Sequence, residues 1–270
     1  MAIQLEGAKS LKRAVTLRTR DGMYVIAKGV VRRVETSLGR ASLVGDAAFF
    51  GVGSFSWADR IERDWHLIRH ELDEVLQHRE QLMNFQDLSA GGTALTDDNQ
   101  WKTYVLYGYG FRSDANCRRC PETARLCGEI PGMKRAFFSI LSPHKHIPAH
   151  HGPYKGILRY HLGLRIPEPR ESCRIRVGDE VRHWEEGRSM IFDDTYEHEV
   201  WNDTEGVRVV LFVDFMRPLS LPWNLVNSLV LKATGFSPSY TDVKRRERDW
   251  EARFEALKAS REPAGPAPVA

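Results

Sequence analysis

The sequence predicts a mainly β domain, a sandwich or barrel of short strands with helices before and after it. Three observations carry this. From Trp101 onward the hydrophobic period becomes two, and strand-like runs recur between turns: Lys102–Tyr109, Arg135–Leu141, Ile157–Arg165, Cys173–Val177, Val181–Trp184, Ser189–Phe192 and Val207–Phe215. The last of these is apolar on both faces, as a central buried strand is. Between Asp59 and Met83 the spacing is instead three and four, through Ile61, Trp65, Ile68, Leu72, Val75 and Leu76, which is the signature of an amphipathic helix.

In chain order, residues 1–45 form a basic arm. Up to residue 40, Lys9, Lys12, Arg13, Arg18, Arg20, Lys28, Arg32, Arg33 and Arg40 face only Glu6, Asp21 and Glu35. Such an arm is either a solvated charged segment or a patch for anionic lipid headgroups or another acidic partner. The helix and strands then fill 46–218, with Ser56 and Asp59 as candidate caps of the helix. Residues 219–262 read as a helical extension. Its first part, 219–236, is apolar, and a core-packing helix and a helix lying on a membrane both fit. Its second part, 243–260, is charged, with Val243, Trp250, Phe254 and Leu257 on one side. Residues 263–270 are rich in Pro and Ala and read as a disordered tail.

Composition narrows the function classes. The 270 residues are 42% hydrophobic and 28% charged, ordinary globular usage. A net charge of +3 is too small to argue a nucleic-acid partner. No run reaches the roughly 18 apolar residues of a membrane span, and the first residues lack the apolar stretch of a secretory signal. The expected location is the cytoplasm, with peripheral contact at a membrane surface as the second reading. Of the four cysteines, Cys117, Cys120 and Cys127 are spaced as half a zinc site. Structural zinc normally needs four ligands, so reduced, partly buried thiols are expected.

The chemistry concentrates in the histidines. His144, His146, His150, His151 and His161 fall close together, and His198 follows in the acidic turn Asp193-Asp194-Thr195-Tyr196-Glu197. Neutral imidazole is the usual ligand of divalent iron, zinc and copper. In the run Leu158–Gly163, strand alternation puts Arg159 and His161 on one face. Arg208 is a second cation in a buried strand, where a charge requires a partner. Arginine grips a carboxylate through two parallel hydrogen bonds. Histidines for a metal and arginines for a carboxylate, inside a small β barrel, match a non-haem iron oxygenase that uses 2-oxoglutarate. A hydrolytic zinc site fits less well, since such sites keep three protein ligands.

The stretch from Ser139 to Pro218 resembles the aspartyl/asparaginyl β-hydroxylase family. The matching segments are Ala149-His-His-Gly-Pro153, Leu158-Arg-Tyr-His-Leu-Gly-Leu164, Trp184-Glu-Glu-Gly187, Ile191-Phe-Asp-Asp-Thr-Tyr-Glu-His-Glu-Val-Trp201 and Arg208-Val-Val-Leu-Phe-Val-Asp214. The resemblance implies a double-stranded β-helix (jelly-roll, cupin-like) core. It implies Fe(II), 2-oxoglutarate and dioxygen as cofactor and cosubstrates, and hydroxylation of an unactivated carbon. His150 and His198 match the iron-binding histidines. Arg208 and Ser139 match the residues that hold the far carboxylate of 2-oxoglutarate, and Arg159, His161 and Trp101 match others of the cosubstrate pocket. Where most of the wider superfamily places an aspartate two residues after the first histidine, this chain has Gly152, as the animal members do; lipid A 2-hydroxylases keep the aspartate. Asp193 and Asp194 are candidates for hydrogen bonds to the ligands, or belong to a solvated turn. The cysteine triplet falls in what reads as a loop before the core, where the animal enzymes carry a disulfide; Cys117 matches one half of that pair and Ala124 the other, so no disulfide carries over.

The substrate stays open between an Asp/Asn-type side chain, in a peptide or free, and the acyl chain of a membrane lipid. Gly152 leans to the first; the basic arm and the apolar segment lean to the second. The alternative from another class is a non-catalytic metal- and anion-binding module of the same fold.

Overall fold

The computed structural model describes residues 34–88, 92–235, 244–246 and 248–253. The basic arm up to residue 33 and the tail at 263–270 lie outside the described residues. The described residues begin with a helix over 34–41 (α1) and a two-residue strand, Phe49–Phe50 (β1). Two helices follow, Ala58–Arg63 (α2) and Trp65–Leu76 (α3). The periodic segment at 59–83 is thus two helices and not one. Asp64 breaks it with a non-helical backbone (φ −95°, ψ 8°), and α2 starts from Trp57, so neither Ser56 nor Asp59 caps it. Strand Met83–Asn84 (β2) and the short helix Phe85–Leu88 (α4) precede strands Trp101–Gly108 (β3) and Phe111–Arg112 (β4).

Two helices come next, Asp114–Arg119 (α5) and Pro121–Gly128 (α6). They correct the loop expected around the cysteine triplet. Pro121 sits in the first turn of α6, where a missing N–H costs nothing. Glu71 of α3 accepts from the Glu122 and Thr123 backbone N–H groups and so satisfies that helix start. Cys117, Cys120 and Cys127 are free thiols and fully buried, beyond the partial burial expected.

The remaining strands are Met133–Leu141 (β5), Lys145–His150 (β6), Ile157–Arg165 (β7), Cys173–Val177 (β8), Glu180–His183 (β9), Ser189–Phe192 (β10), His198–Asn202 (β11) and Arg208–Met216 (β12). Helix Trp223–Gly235 (α7) and helical residues at 244–246 and 248–253 end the described chain.

These strands form a double-stranded β-helix: a large antiparallel sheet ordered β1-β10-β7-β12-β5-β3-β2, with β4 on β3, faces a small one ordered β6-β11-β8-β9. The apolar run predicted to be central is central, since β12 pairs with β5 on one side and β7 on the other. Its two faces have different neighbours. One packs outward on the early helices, where Phe215 meets Phe55 at 5.5 Å and Trp57 lies 5.1 Å from Tyr160. Cross-strand partners share a face, so the register fixes the other. Arg208, Val210, Phe212 and Asp214 lie beside Leu141, Ser139 and Phe137 of β5, and Gly163, His161 and Arg159 of β7. This face looks toward the small sheet.

In the small sheet, β8 and β11 alternate buried and half-exposed residues, the pattern of a sheet with one wet face. Strand β6 is its edge, which accommodates Pro148, a residue that cannot donate to a ladder.

Candidate active site

His150 and His198 are direct antiparallel partners on β6 and β11, and their ring centroids stand 4.0 Å apart. A bulge immediately after His198 bends β11 at this point. Each ring is fixed in the same way. His150 Nδ1 donates to the Pro148 carbonyl at 2.8 Å, and His198 Nδ1 donates to the Tyr196 carbonyl at 3.0 Å. A carbonyl only accepts, so each Nδ1 carries the proton and each Nε2 keeps a free lone pair. Burial holds both imidazoles neutral: it lowers the pKa of His150, and it lowers that of His198 to about 3 with help from the nearby His150 and Arg159. Neutral, oriented and adjacent is what a pair of metal ligands must be. His151, the next residue, turns outward and bonds the Thr195 carbonyl at 3.0 Å, as strand alternation predicts.

Opposite this pair, the large sheet supplies an anion pocket. Arg208 is buried, and its Nε and Nη1 have no hydrogen-bond partner. Its guanidinium lies 4.5 Å from the centre of the Trp184 ring, and burial lowers its pKa to about 10, with the Cys173 thiol pulling the other way. Among the described residues no carboxylate pairs with it. Ser139, two strand positions along on β5, has its hydroxyl oxygen bound by Trp101 Nε1 at 3.0 Å; Phe85 stacks on the Trp101 indole and holds it in place. His161 is buried with both ring nitrogens unpartnered. Desolvation first, then the charges of Arg208, Arg159 and His198, push its pKa well down, so it too is neutral. Phe192, 5.1 Å from the His161 ring and 6.0 Å from the His198 ring, connects it to the small sheet.

Arg159 differs from Arg208. Its Nε donates to Asp214 at 3.0 Å, its Nη2 lies 2.7 Å from Asp194, and Phe212 lies beneath it at 4.3 Å. Arg135 also binds Asp214, at 2.6 Å. The protein thus settles the charge of Arg159 itself, and of the two cations singled out in the sequence only Arg208 has unpaired capacity.

The acidic turn is not solvated, which corrects that reading of Asp193 and Asp194: both are fully buried. Asp193 binds Lys155 at 2.9 Å, Arg217, and the Thr195 N–H and hydroxyl, pinning the loop that leads into β11. Asp194 points into the site. Burial, partly offset by Arg159 and reinforced by Asp214 and Asp193, raises its pKa to about 6. Its carboxylate fills the space next to Gly152: a Cβ built on Gly152 would stand 2.1 Å from it, and the Gly152 N–H donates to the Asp194 carbonyl at 2.6 Å. Glycine at 152 is what leaves room for the Asp194 carboxylate. Sequence reasoning placed Trp184 at the end of a strand run and in a matching segment but gave it no role; it lies just past β9 and is buried against Arg208. Gly163 makes room for that turn, because a Cβ there would meet the Glu185 carbonyl at 2.1 Å.

Known proteins resemble this chain in sequence. The family model described as aspartyl/asparaginyl beta-hydroxylase matches residues 62–218. The ornithine lipid ester-linked acyl 2-hydroxylase of Rhizobium tropici is 44% identical over 79% of this chain and 76% of that protein. Human aspartyl/asparaginyl beta-hydroxylase is 36% identical over 60% of this chain, which spans only 21% of that protein's length. Among solved structures, a Pseudomonas putida prolyl-4-hydroxylase aligns over 56% of this chain and 86% of its own, with a TM-score of 0.38 and 15% identity.

Proposed function

Because the chain belongs to the aspartyl/asparaginyl β-hydroxylase family, we propose that it is an Fe(II)- and 2-oxoglutarate-dependent dioxygenase that hydroxylates a lipid acyl chain. The observation that carries this reading is the pairing of two neutral, oriented histidines with a buried arginine whose charge the protein leaves unmatched. The residues fit the absent groups. His150 and His198 would hold iron(II) through Nε2. Arg208 and the Ser139 hydroxyl would take the far carboxylate of 2-oxoglutarate, and Arg159, His161 and Trp101 would frame its pocket. Iron with 2-oxoglutarate and dioxygen supplies the oxidising power to turn a C–H bond into C–OH, with succinate and carbon dioxide as co-products.

The chain's own part is positioning and exclusion. Arg208 is preorganised, since Trp184 fixes the plane of its guanidinium. His161 stays uncharged beside it and so adds no second cation. Phe192 and Phe212, at 5.1 and 5.0 Å from the His161 ring, wall the site with apolar surface and keep water out. Asp194 pairs with Arg159 and packs its carboxylate against Gly152, which fixes the loop that leads to His198. Among the described residues no three His, Cys, Asp or Glu side chains could hold a metal by themselves.

The acyl-chain substrate rests on the relative that shares 44% identity over most of both chains. An Asp/Asn-type side chain is the second reading, favoured by the human relative. The test is succinate formation by iron-loaded, anaerobically prepared protein given 2-oxoglutarate and air, with and without ornithine lipid. Succinate that is stimulated by the lipid and lost in His150→Ala and His198→Ala is the expected result. No succinate together with no binding of iron or 2-oxoglutarate would leave a non-catalytic module of the same fold.

A further inference from the structure

Helix α7 is built the wrong way round for a helix that packs on a core. Its buried positions are Asn227 and Leu231, while Leu225 and Leu229 are 61% and 67% exposed, with Val226 and Val230 beside them. At 100° per residue these four side chains and Ala233 fill one arc, and that arc faces solvent. The polar side holds the helix down: Asn227 is buried and donates to the Gly156 carbonyl at 2.7 Å. Gly156 is needed there, because a Cβ would stand 2.2 Å from the Asn227 oxygen. The apolar surface extends past the helix. Leu221 is 73% exposed just before it, and Leu43, 68% exposed, is brought alongside where Leu43 N–H and Ser220 N–H bond Pro218 and Ala41. Contiguous apolar surface of this kind marks a binding face.

We propose that this face, Leu43 and Leu221 to Val230, seats the protein in the interfacial layer of an anionic lipid bilayer. The choice of occupant rests on the acyl-hydroxylase reading, and three features of the molecule favour it. The first is charge. Between Arg217 and Gly235 there is no acidic residue, and Lys232, exposed on α7, stands near Lys134, whose pKa is lowered by burial and by that neighbouring charge. Residues 1–33, with eight Lys and Arg against two acids, join the described structure at α1, whose end leads directly to Leu43. The second is length. Thirteen residues rise about 20 Å, and no described helix is long and apolar enough to cross a membrane, so α7 would lie in the plane of the surface. The third is place. The loop that anchors α7 at Gly156 begins at His150, so six residues of chain join the apolar face to a candidate metal ligand.

The experiment is flotation of the full chain with vesicles of phosphatidylcholine and phosphatidylglycerol in equal parts, against vesicles of phosphatidylcholine alone. The wild type should float with the anionic vesicles. Leu225→Asp with Leu229→Asp, both at exposed positions, should lower the bound fraction at least tenfold with an unchanged unfolding midpoint and unchanged lipid-free succinate formation. Lys232→Glu should weaken binding at low salt only. A wild type that does not float, or a double variant that floats equally, overturns the proposal. So does a wild type that sediments as a dimer and becomes a monomer in the double variant, since the face would then belong to a second copy. Flotation is read without turnover. A wild type that forms succinate but does not float therefore overturns this inference alone, and a wild type that floats but forms no succinate overturns the oxygenase reading alone.

Discussion

The Arg208 guanidinium lies 4.5 Å from the centre of the Trp184 ring, with its Nε and Nη1 unbonded and the indole N–H likewise free. A buried cation left open in this way is costly unless a ligand completes it. Arg208→Ala should therefore raise the KM for 2-oxoglutarate at least about thirtyfold, the low end of the roughly 2–5 kcal/mol lost when one partner of a buried charge pair is truncated. Arg208→Lys should recover little, because an ammonium cannot grip a carboxylate with two parallel bonds. Steady-state succinate formation against 2-oxoglutarate concentration decides it, and an unchanged KM would place the anion pocket elsewhere.

Removing one imidazole should separate inward from outward histidines. His150→Ala and His198→Ala should fall below a few per cent of wild-type turnover. His151→Ala should keep most of it, because that ring faces outward, toward the Thr195 carbonyl and Glu197. The check is succinate formation alongside iron content. Coupled activity in His198→Ala at unchanged iron affinity would sink the ligand assignment.

Gly152 and Asp194 compete for one space, so their substitutions should not add. Gly152→Ala should destabilise the fold by about 1–3 kcal/mol, the usual cost of overpacking, because its Cβ meets a buried carboxylate. In an Asp194→Gly background the same change should cost much less. Denaturant unfolding of the four proteins gives the coupling energy; strict additivity would mean that the two sites do not touch.

His198 should make the metal-free protein acid-sensitive in a defined direction. Its folded pKa of about 3 lies below the ordinary 6.5 because of burial first, then the charges of His150 and Arg159. The unfolded chain takes up that proton sooner, so the stability from the neutral ring is complete above pH 6.5 and drains as pH falls toward 3. By pH 4 the loss reaches about 3 kcal/mol at most. Asp194, raised to about 6, works in the opposite sense as pH falls. Comparing wild type with His198→Gln in thermal melts from pH 7 to 4 isolates the imidazole. The variant should have the shallower slope, and parallel curves would refute the linkage.

Much of both sheets could be read from alternation, since β7 and β10 of the large sheet and β8 of the small one begin and end where the pattern does. The two strands that carry the histidines could not. In β6 and β11 the inward positions are given to the site: only Ile147 and Val200 are buried apolar residues, and Pro148 interrupts the first. A strand that spends its inward positions on ligands loses the pattern that announces strands. Arg208 was visible because it interrupts an apolar run. The true state of Arg159 was not, because its partner Asp214 faces it across a strand pair 55 residues away. Asp194 looked like one more acid in a turn until the fold buried it.

The candidate metal ligands stand on one sheet and the anion pocket on the other. No covalent element of the site sets the distance between them; the gap is held by ordinary side chains such as Ile147, Ile175, Val200 and Phe192, all buried. Their bulk acts as a shim. Trimming or thickening it by a methyl group moves two halves of one reaction relative to each other while leaving each half intact. Such changes would appear as a drift in stoichiometry, more succinate formed per hydroxyl delivered, long before they appeared as loss of binding. On the dioxygenase reading, the packing of these plain apolar residues would be a determinant of chemical fidelity.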